Sequence, residues 1–156
     1  MKYLNNFERI FDALNRHHVH YLIIGGIGVN LHGKSRETHD VDITVEFSEA
    51  NLMNLQEALK ELKYRPRQPI NLLDAAKREK REEWFQEKGA MALFFYSDQI
   101  PHMPIDVLYT VPFTFHDAYQ RKHEIKLTPR VIVSVASIDD IIATKEGSQR
   151  EIDHMD

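Results

Sequence analysis

Apolar positions recur at helical spacing from the start of the chain. Leu4, Phe7, Ile10, Phe11 and Leu14 share one face of a helix over residues 3–16. HYLIIGG (20–26) reads as a short apolar strand closed by two glycines, with a short helix from Ile27 to about His32 behind it. The polar loop KSRETH leads into DVDITVE (40–46), where Val41, Ile43 and Val45 alternate as in a half-buried strand. Ser48 caps a helix with apolar positions Leu52, Leu55, Leu59 and Leu62, and YRPRQP breaks it. LLDAAKREKREEWFQEKG (72–89) reads as one highly charged helix stopped by Gly89. AMALFFYS (90–97) is a buried strand, IPHMP a turn and IDVLYTV (105–111) a further strand. One or two helical turns fit FHDAYQRKH, and EIKL and VIVSVA are short β segments around Pro129. Ser137 with Asp140 resembles a capping box opening the helix IDDIIATKE. This order of elements predicts a single α/β (α+β) domain over 1–156, a mixed β-sheet flanked by helices.

Composition narrows the class. The 156 residues are 42% hydrophobic and 28% charged, which suits one globular domain. A formal charge of −4 exerts no general pull on nucleic acid, so any RNA contact needs a local basic patch. The absence of cysteine excludes disulfides and thiolate zinc sites and fits a reducing compartment. The opening MKYLNNFERIF is amphipathic and charged, unlike a signal peptide, and YLIIGGIGV is too short to span a bilayer. The expectation is a soluble cytoplasmic protein with no membrane partner.

Candidate chemistry begins with Asp40 and Asp42. Side chains at i and i+2 of a strand share a face, with Cα atoms roughly 6.5 to 7 Å apart. Two carboxylates so placed repel unless a cation lies between them, and hard cations such as Mg²⁺ prefer oxygen ligands. PIDVLY sets a third acid, Asp106, between Ile105 and Val107 in a similar frame. If the two strands pair, the three acids converge and can hold one or two Mg²⁺ ions, the equipment of phosphoryl transfer. For Asp-x-Asp alone, a solvent-facing pair is the simpler reading; the third acid narrows that gap.

Gly25 and Gly26 follow a strand and open a helix, where backbone N–H groups favour phosphate. A plain strand-to-helix turn explains them equally well. A dinucleotide fingerprint fits poorly, because Leu31 stands where a small residue is needed, and it leaves Asp40 and Asp42 unexplained. Nine histidines, including His17, His18 and His20, lack a further ligand at fixed spacing and read as surface residues, with His39 at the edge of the cleft. KREKREE (77–83) alternates in sign, as a salt-bridged helix face does, and Trp84 and Phe85 are expected in the core.

LIIGG, then DVDI after a short gap, then PIDVL, together resemble the nucleotidyltransferase superfamily, the DNA polymerase β-like fold. GGIGVNLHGKSRETHDVDI is similar to the AbiEii-type toxin branch, whose Arg-x-Thr-x-Asp-hydrophobic-Asp run matches Arg36, Thr38, Asp40 and Asp42. The tail is similar as well, with Lys145, Arg150, Asp153 and Asp156 in register, while Ile152 stands where that branch usually has lysine. The resemblance touches residues 21–46, 104–109 and 137–156; the stretch 63–89 has no counterpart in it.

The resemblance implies a nucleotidyltransferase-like mixed sheet and transfer of a nucleoside monophosphate from an NTP to an acceptor hydroxyl. It implies Mg²⁺ (or Mn²⁺) on Asp40, Asp42 and Asp106, with Asp106 as third ligand or base. Gly25 and Gly26 would face the triphosphate. Arg36 would reach a phosphate or buttress its loop, and Lys145 would pair with phosphate or stand as a solvated lysine. The acceptor is open between a tRNA, a partner protein and a small molecule such as an aminoglycoside, and a toxin or antitoxin partner is expected. Two rival readings are a non-catalytic nucleotide- or protein-binding regulatory module on the same fold, and a Rossmann-like NAD(P) binder.

Overall fold

Asn5 opens the first helix, its side chain accepting from the Glu8 N–H at 2.8 Å. A computed structural model of the chain describes residues 5–25 and 40–155, with side chains to Gly147. Helix α1 (Asn6–Arg16) leads to strand β1 (Tyr21–Ile24), and strand β2 (Val41–Val45) to helix α2 (Glu49–Glu61). Ser48 caps α2 as its sequence predicts, accepting from Asn51 N–H at 3.2 Å. Strand β3 (Arg65–Pro66), a 3₁₀ turn (Leu72–Ala76) and helix α3 (Arg78–Lys88) follow. Strands β4 (Ala92–Tyr96) and β5 (Ile105–Leu108), helix α4 (Phe115–Gln120), strands β6 (His123–Thr128) and β7 (Val131–Val135) and helix α5 (Ile138–Met155) complete the described residues. The expected short helix 27–32 and His39 lie outside them.

The seven strands form one mixed sheet in the order β3-β4-β5-β2-β1-β7-β6. Its centre is β5 parallel to β2, β2 antiparallel to β1, and β1 parallel to β7. Val41, Ile43 and Val45 share a face with Ile105 and Val107 and with Leu93 and Phe95, all buried. Tyr21 lies opposite Val45 on that face, and its ring meets Phe11 of α1 at 5.4 Å. Helix α1 therefore covers the face opposite to Asp42.

One expectation changes. The charged stretch 72–89 is not one helix: Asn71 caps a 3₁₀ turn, Lys77 is extended, and α3 begins after it. Gly89, at φ 62, ends α3 as expected, and Arg78–Glu82 (3.0 Å) and Lys80–Glu83 (3.5 Å) lace its face. Trp84 is half-buried, edge-on to Tyr109, rather than enclosed. YRPRQP lies beyond the helix end, as expected, and also holds β3, a two-residue strand on the sheet edge, where proline is tolerated because it donates to no further strand.

Buried polar groups join the elements. Asn51, 4% exposed, accepts from His20 N–H at 2.8 Å and donates to the carbonyls of His20 (3.0 Å) and Glu46 (2.8 Å). It ties the entry of β1 to the exit of β2. Ser137 accepts from Asp140 N–H at 3.1 Å, as a cap should. The Asp140 carboxylate does not complete a capping box; Arg121 takes it in a two-pronged pair at 2.9 and 3.1 Å, clasping α4 to α5.

Candidate active site

Strand register brings two of the three acids together. Asp42 on β2 lies directly opposite Asp106 on β5, so both carboxyls leave the sheet on the same side. The two groups are close enough to share a hydrogen bond. Burial raises the Asp42 carboxyl to about 7, helped by the Asp106 charge, the hydrogen bond to Asp106 and the charge on Asp40. Burial likewise raises Asp106, and Asp40 adds to this, while the shared hydrogen bond and Arg67 pull it back down.

Gly25 forms the roof of this pair. It sits at φ +77 immediately after β1, and a Cβ there would lie 2.3 Å from Asp42 Oδ2. No other residue leaves room for the carboxylate, since both the space and the backbone angle demand glycine. The reason for Gly25 is therefore its contact with Asp42, which spacing along the chain does not reveal.

Asp40 stands one residue before β2 and is exposed. It acts on both half-buried carboxyls through its charge. The expected convergence of three acids is thus met closely by two: among the described residues, no three His, Asp or Glu side chains are grouped tightly enough to hold a metal ion. Lys145 is exposed on α5 and makes no ion pair among the described residues. Gly26 and Arg36 lie outside the described residues. Of the surface histidines, His17 pairs with Glu61 at 3.0 Å and His20 stacks on Tyr119, so these two have structural partners. Sequence reading missed Phe94, expected within a buried strand but 40% exposed, in line with Asp106.

The donor set is suited to a hard divalent cation. Two facing carboxyls on neighbouring strands, one raised well above its ordinary range, bring oxygen ligands and like charge together. Asp42 and Asp106 would hold such an ion, with Asp40 at the mouth.

The seven-stranded mixed sheet is a fold shared with solved nucleotidyltransferase structures. Residues 6–79, which include Gly25, Asp40 and Asp42, match the aminoglycoside-2″-adenylyltransferase family. A crystal structure from Thermotoga maritima, described as a nucleotidyltransferase, superposes with TM-score 0.61 at 15% identity, covering 96% of this chain and 86% of that one. The crystal structure of ANT(2″)-Ia in complex with adenylyl-2″-tobramycin superposes at 0.60 and 15% identity, covering 96% and 78%. The solution structure of the antibiotic-resistance factor ANT(2″)-Ia gives 0.53 at 14% identity, covering 87% and 65%. No curated protein matches the chain. No described helix is long and apolar enough to cross a membrane.

Proposed function

We propose that the chain transfers a nucleoside monophosphate from an NTP to an acceptor hydroxyl, with Mg²⁺ or Mn²⁺ as cofactor. The observation that carries this reading is Asp42 opposite Asp106, with Gly25 shaped around Asp42. The match to an adenylyltransferase family supports ATP as the donor.

In this reading Asp42 and Asp106, with Asp40 at the mouth, would hold the divalent ion, which would supply Lewis-acid stabilisation of the phosphoryl oxygens. The acceptor oxygen attacks the α-phosphorus, the α–β P–O bond breaks, and pyrophosphate leaves. Asp106 would be the third ligand or the base that takes the hydroxyl proton. In the same reading Gly25 and Gly26 would face the triphosphate, and Arg36 and Lys145 would supply countercharge.

The test is label transfer. Pure protein with α-labelled ATP, GTP, CTP or UTP and Mg²⁺ is offered RNA, protein and tobramycin as acceptors. Transfer that needs the metal and disappears in Asp42→Asn supports the proposal; no transfer from any NTP, or undiminished transfer in that variant, overturns it. The likeness of residues 36–42 and of the tail to the AbiEii-type branch supports a toxin–antitoxin setting. It is checked by growth arrest on expression of the wild-type chain but not of Asp42→Asn.

A further inference from the structure

The two carboxyls begin a row that crosses the Asp42 face of the sheet. Asp42 lies opposite Asp106, and Asp106 opposite Phe94 on β4. The β3–β4 pairing of Arg65 with Tyr96 and Pro66 with Phe95 continues so that Arg67 falls beside Phe94, its N–H donating to the Phe94 carbonyl at 2.8 Å. A second row runs alongside. Val41 N–H donates to the Pro104 carbonyl at 3.0 Å, so Asp40 and Pro104 continue the β2–β5 register toward Tyr96 and Arg65. Both rows start at an acid in the middle of the sheet, cross an aromatic on β4 and end at an arginine on the edge.

Phe94 is 40% exposed, whereas Leu93 and Phe95 beside it are 2% exposed. It makes no ring contact among the described residues. Tyr96 instead carries the arginines, with Arg65 5.2 Å and Arg67 6.0 Å from its ring centre. Arg65 also pairs with exposed Asp98 at 3.2 Å, a weak bond in water; Arg67 has no ion-pair partner among the described residues. Lys60, Lys63 and Arg65 line an adjoining groove of about 440 Å³ with Tyr64, Asp98 and Gln99. The chain is acidic overall, yet this edge is a local basic patch joined to an exposed aromatic.

We infer that this face receives the single-stranded end of a nucleic acid as the acceptor, with a base stacked on Phe94 and phosphates along Arg65 and Arg67. Exposed aromatics on a sheet are stacking platforms for unpaired bases, and arginine recognises phosphate in two-pronged fashion. Cross-strand neighbours lie about 5 Å apart, so a base on Phe94 brings its terminal hydroxyl next to Asp106. Polycationic aminoglycosides, by contrast, meet like charge at this edge. The inference takes the reaction from the nucleotidyl-transfer reading and adds the class of acceptor.

The experiment is fluorescence anisotropy with a short labelled single-stranded RNA at several salt concentrations, without nucleotide. Wild-type protein should bind it, and bind a duplex of the same sequence more weakly. Phe94→Ala should weaken binding about tenfold or more. The double variant Arg65→Glu, Arg67→Glu should abolish it, and Arg65→Gln, Arg67→Gln should flatten the logarithmic salt slope by about 1.4, the value for two lost single-strand phosphate contacts. All these side chains are exposed, and circular dichroism checks the fold. Undiminished binding by the charge-reversed variant overturns the inference. So does label accepted by tobramycin with no RNA bound, or a dimer lost in Phe94→Ala without RNA binding. RNA bound in this pattern by wild type and by Asp42→Asn, with no label transferred to any acceptor, supports the surface and counts against the nucleotidyl-transfer reading instead.

Discussion

Gly25 and Asp42 occupy one volume that tolerates a single arrangement. Alanine at position 25 would place its methyl 2.3 Å from the Asp42 oxygen at a positive φ, so the carboxylate must swing away. If the proposed transfer runs on Asp42, Gly25→Ala should lower it about 100-fold, the scale of an ångström's misplacement. It should also cost about 1 kcal/mol or more of stability, read by urea unfolding. Asp42 itself works against folding when ionised. Its pKa is about 7 in the folded chain and 3.8 ordinarily, so the folded state keeps a proton that the unfolded state releases. Stability from this group falls as pH rises from 3.8 to about 7 and is level above. Asp42→Asn should therefore melt higher than wild type at pH 8 in chelator while transferring no label. A lower melting temperature in that variant would contradict the assigned strain.

At the scale of elements, buried hydrogen bonds fix what the apolar stripes leave free. Asn51→Leu removes three bonds to backbone groups at the mouths of β1 and β2 and leaves His20 N–H without its partner. The expected loss is about 3 kcal/mol in equilibrium unfolding, more than a surface change and comparable to a core truncation. Helices α1 and α2 are joined on the outside by Glu61, which accepts from Arg16 and His17. Arg16 first and His17 second lower its carboxyl to about 2. Because the folded value lies below the ordinary 4.5, that contribution is present above 4.5 and lost as pH falls through about 2. Glu61→Gln should flatten the acid limb of a melting profile and leave the limb above neutrality unchanged. These contacts had no local signal: Asn51 sits in an unremarkable helical turn, and Arg121 and Asp140 are 19 positions apart.

For the whole molecule, a divalent cation should act as a folding ligand. Binding to the ionised Asp42–Asp106 pair stabilises the native state by mass action. Mg²⁺ should raise the melting temperature by a few degrees at pH 8, and much less at pH 5, where protons already separate the acids. Scanning calorimetry with and without chelator checks this, and equal shifts at both pH values would place the ion elsewhere.

The apolar alternation of DVDITVE and IDVLYTV already stated that Asp42 and Asp106 leave their strands away from the core, because a period of two is a local property of extended chain. Helix boundaries were equally local, as the Ser48 cap and the Gly89 stop demonstrate. Strand neighbours were not. That β5 pairs with β2 in parallel, and that a two-residue β3 lies beside β4, follows from long-range packing with no trace in adjacent residues. That pairing turned Asp-x-Asp and a distant acid into a facing pair, pressed Gly25 against Asp42, and drew Asp106, Phe94 and Arg67 into one line. Chain order carries the face each residue takes; only folding brings together side chains that lie far apart along it.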